Sequence, residues 1–487
     1  MTDRSSSGVQ IARNYFFVFL AQLVRLGANV IIFVGIARLY GADVFGQFTT
    51  AHTLSTLFIL IADFGFDTLL ASEISRHRGQ ARDLAHVYLT MKLIFAFSSS
   101  VVMVLVAHGK RLNPETVSLV HIFAFYVFFA ALTNFFFALF KSFEEMHHEV
   151  RISFFMNLML FSSVVALGLV HAPILWLAVA FVGSRVFGVI LSLPTVMRLV
   201  RFRVSDLRLA AKQQLKGISI FGFSTISGFL FFTQDTLMLA WWAGAREVGI
   251  YQAAMKIVSL SLLISDIVFY SLLLVLNRFH SESRGKWVRL IRILHKFLVS
   301  SGVIIGFTLL VLAEPIISLV MGLKEYGPSV AILRVFGGVV FFRYLGEAAA
   351  TSLTTSGRAV RRLVVMAIGV GLNIVLNFFA IPAFGAFGAS LVSLVTNVAV
   401  VGGYFFATGP EEVTWLTEWR NYIAVVVAGL CALIAFLVPD GIRTVIGLAG
   451  GGILGAVSYL AVFSRDERQL LVRSAIQSVM RRDITSG

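Results

Sequence analysis

The stretch from residue 41 to residue 70, GADVFGQFTTAHTLSTLFILIADFGFDTLL, occurs a second time in the chain. Residues 244–273 read GAREVGIYQAAMKIVSLSLLISDIVFYSLL. The two stretches align without a gap at a constant offset of 203, and 11 of the 30 aligned positions are identical. The identical pairs include Gly41/Gly244, Gly46/Gly249, Asp63/Asp266 and Phe66/Phe269. An apolar helix that appears once in each half of a chain is typical of a transporter with its site between two structural repeats.

The composition places the chain in a membrane. Of its 487 residues, 58% are apolar and 13% are charged, and the mean hydropathy is +0.88. A soluble domain carries about 25% charged residues, so this chain has far more apolar surface than a water-exposed fold can cover. Runs of about 20 apolar residues are long enough to cross the hydrocarbon layer.

Hydropathy predicts an all-α, polytopic integral membrane protein with about 14 transmembrane helices. The repeat groups spans 1–6 and spans 7–12 into two pseudo-symmetric six-helix lobes and leaves spans 13 and 14 as an appended C-terminal pair. The predicted domains are an N-terminal lobe at 1–213, a C-terminal lobe at 214–410, the appended pair at 411–464 and a cytoplasmic amphipathic tail at 465–487. The predicted spans are 14–38, 45–71, 85–108, 117–141, 152–171, 174–197, 217–241, 248–276, 294–322, 329–354, 362–382, 384–407, 421–438 and 443–463.

Basic residues are distributed unequally between the two sides of the predicted membrane. Loops and termini on one side carry 28 Lys and Arg, and those on the other side carry 6. The positive-inside rule therefore predicts a multi-pass protein of the cytoplasmic (inner) membrane with both termini in the cytoplasm. The net charge of +15 is spread over many loops. It indicates topology and contact with anionic membrane lipids, and no nucleic-acid partner is expected.

Several ionisable residues fall inside predicted spans, where each costs about 2.5–3.5 kcal/mol to insert. Lys92, Asp67 and Arg334 lie near span ends, where a side chain can reach water. The deeper cations are the candidate substrate-binding residues, and three acids are the candidate coupling or gating residues. The substrate-binding set is Arg25, Arg185, Lys256 and Arg343, and the coupling set is Asp63, Asp266 and Glu347.

Two interpretations of these charges remain open. The deep cations can line a water-filled cavity between the repeats, or they can satisfy acids in internal ion pairs. Arg343 and Glu347 are four residues apart on one predicted helix and can pair locally, and Asp63 can pair with Arg25 on the neighbouring span. The equivalent placement of Asp63 and Asp266 fits a packing or hinge role as well as substrate contact.

Two features of the C-terminal region predict packing rather than chemistry. Glycines at 447, 451 and 455 follow the G-x-x-x-G spacing of close helix contacts, which predicts that span 14 packs tightly on another helix such as span 13. Residues 466–482, DERQLLVRSAIQSVMRR, mix apolar and Arg positions at helical spacing and are expected along the membrane surface.

The chain contains no nucleotide-binding, zinc-type or H-E-x-x-H motif, so no cofactor or metal is expected.

Two segments resemble a known family. Residues 37–76, ARLYGADVFGQFTTAHTLSTLFILIADFGFDTLLASEISR, resemble the first two helices of the polysaccharide repeat-unit flippases (O-antigen and exopolysaccharide) of the multidrug/oligosaccharidyl-lipid/polysaccharide exporter superfamily. Residues 353–400 are similar to the eleventh and twelfth helices of that family and include the IP-x-x-G-x-x-G-A turn from Ile381 to Ala389. The resemblance runs over nearly the whole chain.

The resemblance implies two lobes around a central cavity and an alternating-access transporter rather than an enzyme. Its substrate would be an oligosaccharide repeat unit on a polyprenyl diphosphate, moved across the membrane for surface polysaccharide biosynthesis. The partners would be membrane lipids and the polysaccharide polymerase and export components. Arg25 is similar in position to an arginine that related lipid II flippases place in the cavity. A cationic cavity would suit the diphosphate.

Three alternatives are weighed against this function. A cation-coupled multidrug exporter of the same fold would favour a net acidic cavity, whereas the deep cations here match or outnumber the acids. A lipid II flippase of the same superfamily shares the expected substrate chemistry. A polytopic polymerase or ligase would carry a large extracytoplasmic loop, and no predicted outer loop here is that long.

Overall fold

The computed structural model describes residues 4–76, 81–109, 112–143, 145–199, 229–230 and 233–464. Within these ranges every regular element is a helix, and ten helices are long and apolar enough to cross a membrane. The prediction of an all-α polytopic membrane protein is therefore confirmed. The predicted tail at 465–487 and most of the predicted seventh span lie outside the described residues.

Apart from the stretch between residues 199 and 233, the described helices follow one another with short connections. The first half contains α1 (Arg4–Asp63), α2 (Phe66–Arg76), α3 (Ala81–Gly109), α4 (Pro114–Ser142), α5 (Met146–Leu169), α6 (Ile174–Leu199) and α7 (233–242). The second half contains α8 (Ala245–Glu282), α9 (Arg284–Val311), α10 (Ala313–Val320), α11 (Leu323–Tyr326), α12 (Ser329–Thr355), α13 (Ala359–Ala407) and α14 (Pro410–Leu416). It ends with a 3₁₀ turn (Trp419–Tyr422), α15 (Ile423–Phe436), α16 (Asp440–Val457) and a π turn (Ser458–Val462).

Two long helices each contain two of the predicted spans. Helix α1 changes direction at Gly41 (φ 76°), between predicted spans 1 and 2, and α13 does so at Gly385 (φ 55°), at the start of predicted span 12. Glycine adopts a positive φ without steric penalty, so both kinks fall at a glycine. Helix α15 matches span 13 although it is only 14 residues long.

Contacts between α-carbons divide the chain into two compact units. Unit 1 comprises Met1–Lys256 and Ile374–Ala389, and unit 2 comprises Ile257–Asn373 and Ser390–Gly487. The predicted lobe boundaries at 213 and 410 stay predictions.

Helix α4 is the inner helix of unit 1. It packs against α1, α3 and α6. About two thirds of the residues in its most apolar stretch are buried, compared with about a fifth for α5. Its sequence explains this position, because bulky apolar residues occur all around it rather than along one stripe. The fully or nearly buried rings are Phe123, Phe135, Phe136 and Phe140.

Helices α9 and α12 form the core of unit 2. Gly306 and Gly337 allow the two backbones to approach closely, since a Cβ on Gly306 would lie 2.7 Å from the Gly337 carbonyl oxygen. Such small-residue contacts replace hydrophobic driving force inside a membrane. Gly447 of α16 contacts Leu312 at the end of α9, and Gly450 contacts Phe307 within α9. Gly451 and Gly455 have open space around them. The predicted close face of span 14 is therefore present, but it uses Gly447 with Gly450 in place of Gly451 and Gly455, and its closest contacts are to the α9 side.

The two copies of the repeated segment touch each other inside unit 1 through equivalent residues. A Cβ on Gly46 would overlap the carbonyl of Ala245, and a Cβ on Gly249 would overlap the carbonyl of Ala42. Each pair is the other shifted by the repeat offset. Gly41 and Gly244 both have positive φ, at 76° and 90°. We call the four residues Ala42, Gly46, Ala245 and Gly249 the glycine seam.

An ion pair lies beside the glycine seam. The Nη1 atom of Arg246 is 3.2 Å from Oδ2 of Asp43, and these two residues also occupy equivalent places in the repeat. Both side chains are more than half exposed, so the pair adds at most about 1 kcal/mol to stability.

Asp235 is held in a buried hydrogen-bond network. Its carboxylate accepts a hydrogen bond of 2.6 Å from the Tyr251 hydroxyl and one of 2.7 Å from Asn377 Nδ2. Asn377 thus forms a buried hydrogen bond between helices α13 and α7.

We expect Asp235→Ala to lower the free energy of unfolding by about 1–3 kcal/mol, because two buried donors would lose their acceptor. The measurement is the apparent melting temperature of the detergent-solubilised protein. Glu282→Ala, which changes an exposed acid, is the control and should leave that temperature unchanged. Equal melting temperatures for the Asp235 variant and the native protein would contradict the assigned role.

Candidate functional site

Two deep cations meet a group of aromatic rings in unit 1. Helix α1 supplies Phe33 and His52, α4 supplies Phe123 and Tyr126, α6 supplies Phe181 and Arg185, and α8 supplies Lys256. We call these seven residues the basic aromatic cluster. The sequence folds this way because the kinked α1 and the inner α4 both place rings on the face that α6 covers.

Each cation of the cluster contacts a ring. Nη2 of Arg185 donates a hydrogen bond of 2.9 Å to the Tyr126 hydroxyl, and its guanidinium carbon lies 5.1 Å from the Tyr126 ring centre. Nζ of Lys256 lies 3.8 Å from the centre of the Phe33 ring. Cation–π contacts of this kind stabilise a cation by about 0.5–2 kcal/mol. They hold the charge in place without cancelling it.

His52 lies at the centre of the cluster. Its ring is 5.1 Å from Phe33, 5.7 Å from Phe181 and 6.0 Å from Tyr126, and it interacts electrostatically with both Lys256 and Arg185. Arg185 and Lys256 are only partly exposed, and within the described part of the chain neither forms an ion pair. The cluster therefore presents two uncompensated positive charges, an arrangement that attracts an anion.

A second charged group in unit 1 involves the repeated segment and α3. Nζ of Lys92 lies 2.5 Å from Oδ1 of Asp63 and 2.9 Å from Oδ1 of Asp67. The Lys92 side chain is 1% exposed. The expectation that Lys92 reaches water at a span end is wrong, because its amine is held between two acids. Asp63 likewise contacts Lys92, and the side chain of its expected partner Arg25 lies outside the described part of the structure.

Unit 2 contains a mixed cluster of acids and cations. Nε of Arg343 donates a hydrogen bond of 3.2 Å to Oδ1 of Asn397, and Arg343 also interacts electrostatically with Asp266 and Glu347. Glu347 also interacts electrostatically with Arg362, which donates a hydrogen bond of 2.9 Å to the Thr354 hydroxyl. The local neutralisation expected for Arg343 and Glu347 on α12 is thus shared with Arg362 of α13.

The structure brings together Arg185 and Lys256 in unit 1, and Arg343, Asp266 and Glu347 in unit 2. Sequence reasoning missed His52, Tyr126 and Arg362, because a single histidine or tyrosine in an apolar helix carries no spacing signal. It named Lys92 and Asp67 without seeing that they meet. Among the described residues, no group of three or more His, Cys, Asp or Glu is placed to hold a metal ion.

The fold is that of a known class of transporters. The lipid II flippase MurJ in an inward closed conformation aligns with a TM-score of 0.70, 13% identity, and coverage of 91% of this chain and 99% of that one. A multidrug resistance MATE family transporter of the MOP superfamily, inward-facing, aligns with a TM-score of 0.66, 14% identity, and coverage of 80% and 94%. Identities this low show the fold alone.

A third solved structure is described by the polarity of its own binding pocket. It is a MOP superfamily transporter from Pyrococcus furiosus, described as having a binding pocket of reversed polarity that suggests a different function. It aligns with a TM-score of 0.55 and 13% identity, and it covers 83% of this chain and 95% of that one.

The sequence comparison defines the family. The polysaccharide biosynthesis protein family matches residues 11–276, which is more than half of the chain. This chain belongs to that family, and it is a multi-pass membrane protein with the fold of MOP-type transporters. The membrane protein YabM of Bacillus subtilis is 28% identical over 115 residues, and that match spans about a fifth of YabM and a quarter of this chain.

Proposed function

We propose that the protein flips a polyprenyl-diphosphate-linked oligosaccharide repeat unit across the cytoplasmic membrane by alternating access, for surface polysaccharide biosynthesis. The single observation that carries the proposal is the pair of cations Arg185 and Lys256, which lie among aromatic rings without an ion-pair partner in the described chain. Family membership supports it, because the family takes its name from polysaccharide biosynthesis.

The chemistry of the cluster suits a diphosphate. Arg presents a planar set of donors that matches phosphate oxygens, and Lys adds a compact point charge. Charge-assisted hydrogen bonds to phosphate are about twice as strong as neutral ones. A cationic drug would be repelled by the same residues, which ranks multidrug export lower.

Arg25 and Arg343 complete the proposed substrate-binding set, and Asp266 and Glu347 belong with Asp63 to the proposed coupling set. The termini are proposed to lie in the cytoplasm, with polysaccharide polymerase and export components as partners. A lipid II flippase is the second candidate, favoured by the TM-score of 0.70 with MurJ.

The test is surface polysaccharide production in a strain that lacks the gene and carries a plasmid copy. We expect Arg185→Ala/Lys256→Ala to abolish export and to accumulate lipid-linked repeat units on the cytoplasmic side, because the diphosphate would lose both cations. Lys256→Arg should retain export. Arg278→Ala, which removes an exposed cation, is the matched control.

Normal export by the double alanine variant, with protein levels equal to the control, would overturn the proposal. Rescue of a strain depleted of its lipid II flippase, without any effect on surface polysaccharide, would favour the second candidate.

A further inference from the structure

We infer that Asp63, Lys92 and Asp67 form a proton-binding site that couples transport to a proton gradient. We call these three residues the acid–lysine triad. The inference rests on the proposed transport function and names the coupling ion and the residues that bind it. It extends the coupling set to Lys92 and Asp67, which no sequence pattern indicated.

The charges of the triad do not balance. Two carboxylates and one ammonium carry a net charge of −1, and among the described residues no further ion pair to either acid is present. Lys92 is 1% exposed, and the two acids are 19% and 20% exposed. An uncompensated charge on largely buried groups is unfavourable, and binding one proton removes it.

The geometry favours a proton over a metal cation. The ammonium of Lys92 already occupies the position between the two carboxyl groups, where a metal ion would sit. The Oδ1 atoms of Asp63 and Asp67 both lie within 2.9 Å of the Lys92 Nζ atom, so the two carboxyl groups are close together. Two neighbouring carboxyl groups disfavour being ionised at the same time, and a bound proton relieves that repulsion.

The triad spans a break in the second predicted transmembrane helix. Phe64 (φ 39°) and Gly65 (φ 88°) separate α1 from α2, and the backbone N–H of Asp67 donates to Oδ1 of Asp63 at 3.3 Å. Asp63 is the last residue of α1 and Asp67 lies in the first turn of α2, so Lys92 of α3 links the two helices through its ion pairs. Protonation of either acid weakens its ion pair with Lys92 and allows the angle between α1 and α2 to change.

The second copy of the repeat lacks this device. Asp266 aligns with Asp63, but α8 runs without interruption from Ala245 to Glu282. Ile267 and Val268 stand where the first copy has Phe64 and Gly65. Asp266 is exposed and lies at the equivalent position, so its substitution is a control for the spectroscopic signal of the triad.

Other titratable groups lie on the helices that carry the triad. Glu73 of α2 interacts electrostatically with Tyr88 of α3, and His86 lies two residues before Tyr88. Helix α4 contributes buried Phe135 and Phe136 to the adjoining core, and its charged residues Glu115 and Lys141 lie at its two ends. His52 of α1 belongs to the basic aromatic cluster, three turns away along the helix.

The experiment is pH-difference infrared spectroscopy of the purified protein in lipid, which detects the carbonyl stretch of protonated carboxyl groups. We expect a pH-dependent band in the native protein that is lost in Asp63→Asn and in Asp67→Asn and retained in Asp266→Asn. Asp67→Glu, which keeps a carboxyl group, should keep a shifted band. If the single Asn variants do not fold, Asp63→Asn/Asp67→Asn/Lys92→Met, which removes all three charges together, replaces them.

A second measurement tests coupling. Export of surface polysaccharide in the complemented strain should stop when a protonophore collapses the proton gradient, both in the native protein and in Glu282→Gln, which changes an exposed acid outside the proposed sets. The Asp67→Asn variant should show little export with or without the protonophore. A band that survives in both Asn variants, or native export that is insensitive to the protonophore, would overturn the inference. Loss of the band in a protein that exports no polysaccharide would leave proton binding standing and would contradict the proposed function instead.

Discussion

Gly46→Ala is expected to give little or no folded protein, and Gly249→Ala is expected to behave in the same way. In both cases the new Cβ would overlap a backbone carbonyl of the other repeat copy, and a carbonyl cannot rotate away as a side chain can. Inserting a methyl group into a tightly packed site costs about 1–3 kcal/mol and occasionally more. The rigidity of this contact places both variants at or above the upper end of that range.

The measurement is the monomer yield and apparent melting temperature of a fluorescent fusion in detergent. Gly35→Ala is the matched control, because it lies on the same helix α1 and a Cβ there meets nothing within 4 Å. Helix propensity alone should make that control equal or slightly more stable. If all three variants yielded the same melting temperature, the close approach at the glycine seam would be refuted.

Lys92→Met is expected to have a comparably large effect for an electrostatic reason. The substitution keeps an unbranched apolar chain and removes the ammonium, so Asp63 and Asp67 lose their common partner. Breaking a buried ion pair by removing one member costs about 3–5 kcal/mol, since the remaining charge is left uncompensated. The loss should grow as pH rises from 5 to 8, because protonation of the acids at low pH removes that charge.

The melting temperature at the two pH values reports this prediction directly. Adding Asp63→Asn and Asp67→Asn to Lys92→Met should restore stability, because all three charges are then absent. Lys286→Met, at an exposed position on α9, is the control and should change nothing at either pH. A Lys92 variant as stable as this control would show that the ion pairs contribute nothing to the fold.

The sequence predicted the fold well because its signals are local. A run of apolar residues predicts a span, and Gly41, Gly244 and Gly385 mark helix boundaries that the structure has at positive φ. The repeat offset predicted which residues are equivalent. It did not predict that Gly46 would meet Ala245, because a repeat specifies equivalence and not contact.

The site was harder to predict because it depends on which helices are neighbours. Lys92 and Asp67 were each placed near a span end, yet they meet Asp63 in the interior of unit 1. The pairing requires both the break at Phe64–Gly65 and the packing of α3 against α1. Arg185 and Lys256 were identified as deep cations, but their aromatic partners Tyr126 and Phe33 come from helices that are distant in the sequence.

The glycine seam has the form of an isologous interface, in which each side offers the same residues to the other. Two identical half-length polypeptides related by a two-fold axis would make this contact between separate subunits. The neighbouring pair Asp43 and Arg246 breaks that identity, since a strictly symmetric dimer would oppose two acids or two bases there. In the single chain the contact is therefore no longer self-complementary, because one copy carries an acid where the other carries a base. Neither half of the chain could now replace the other.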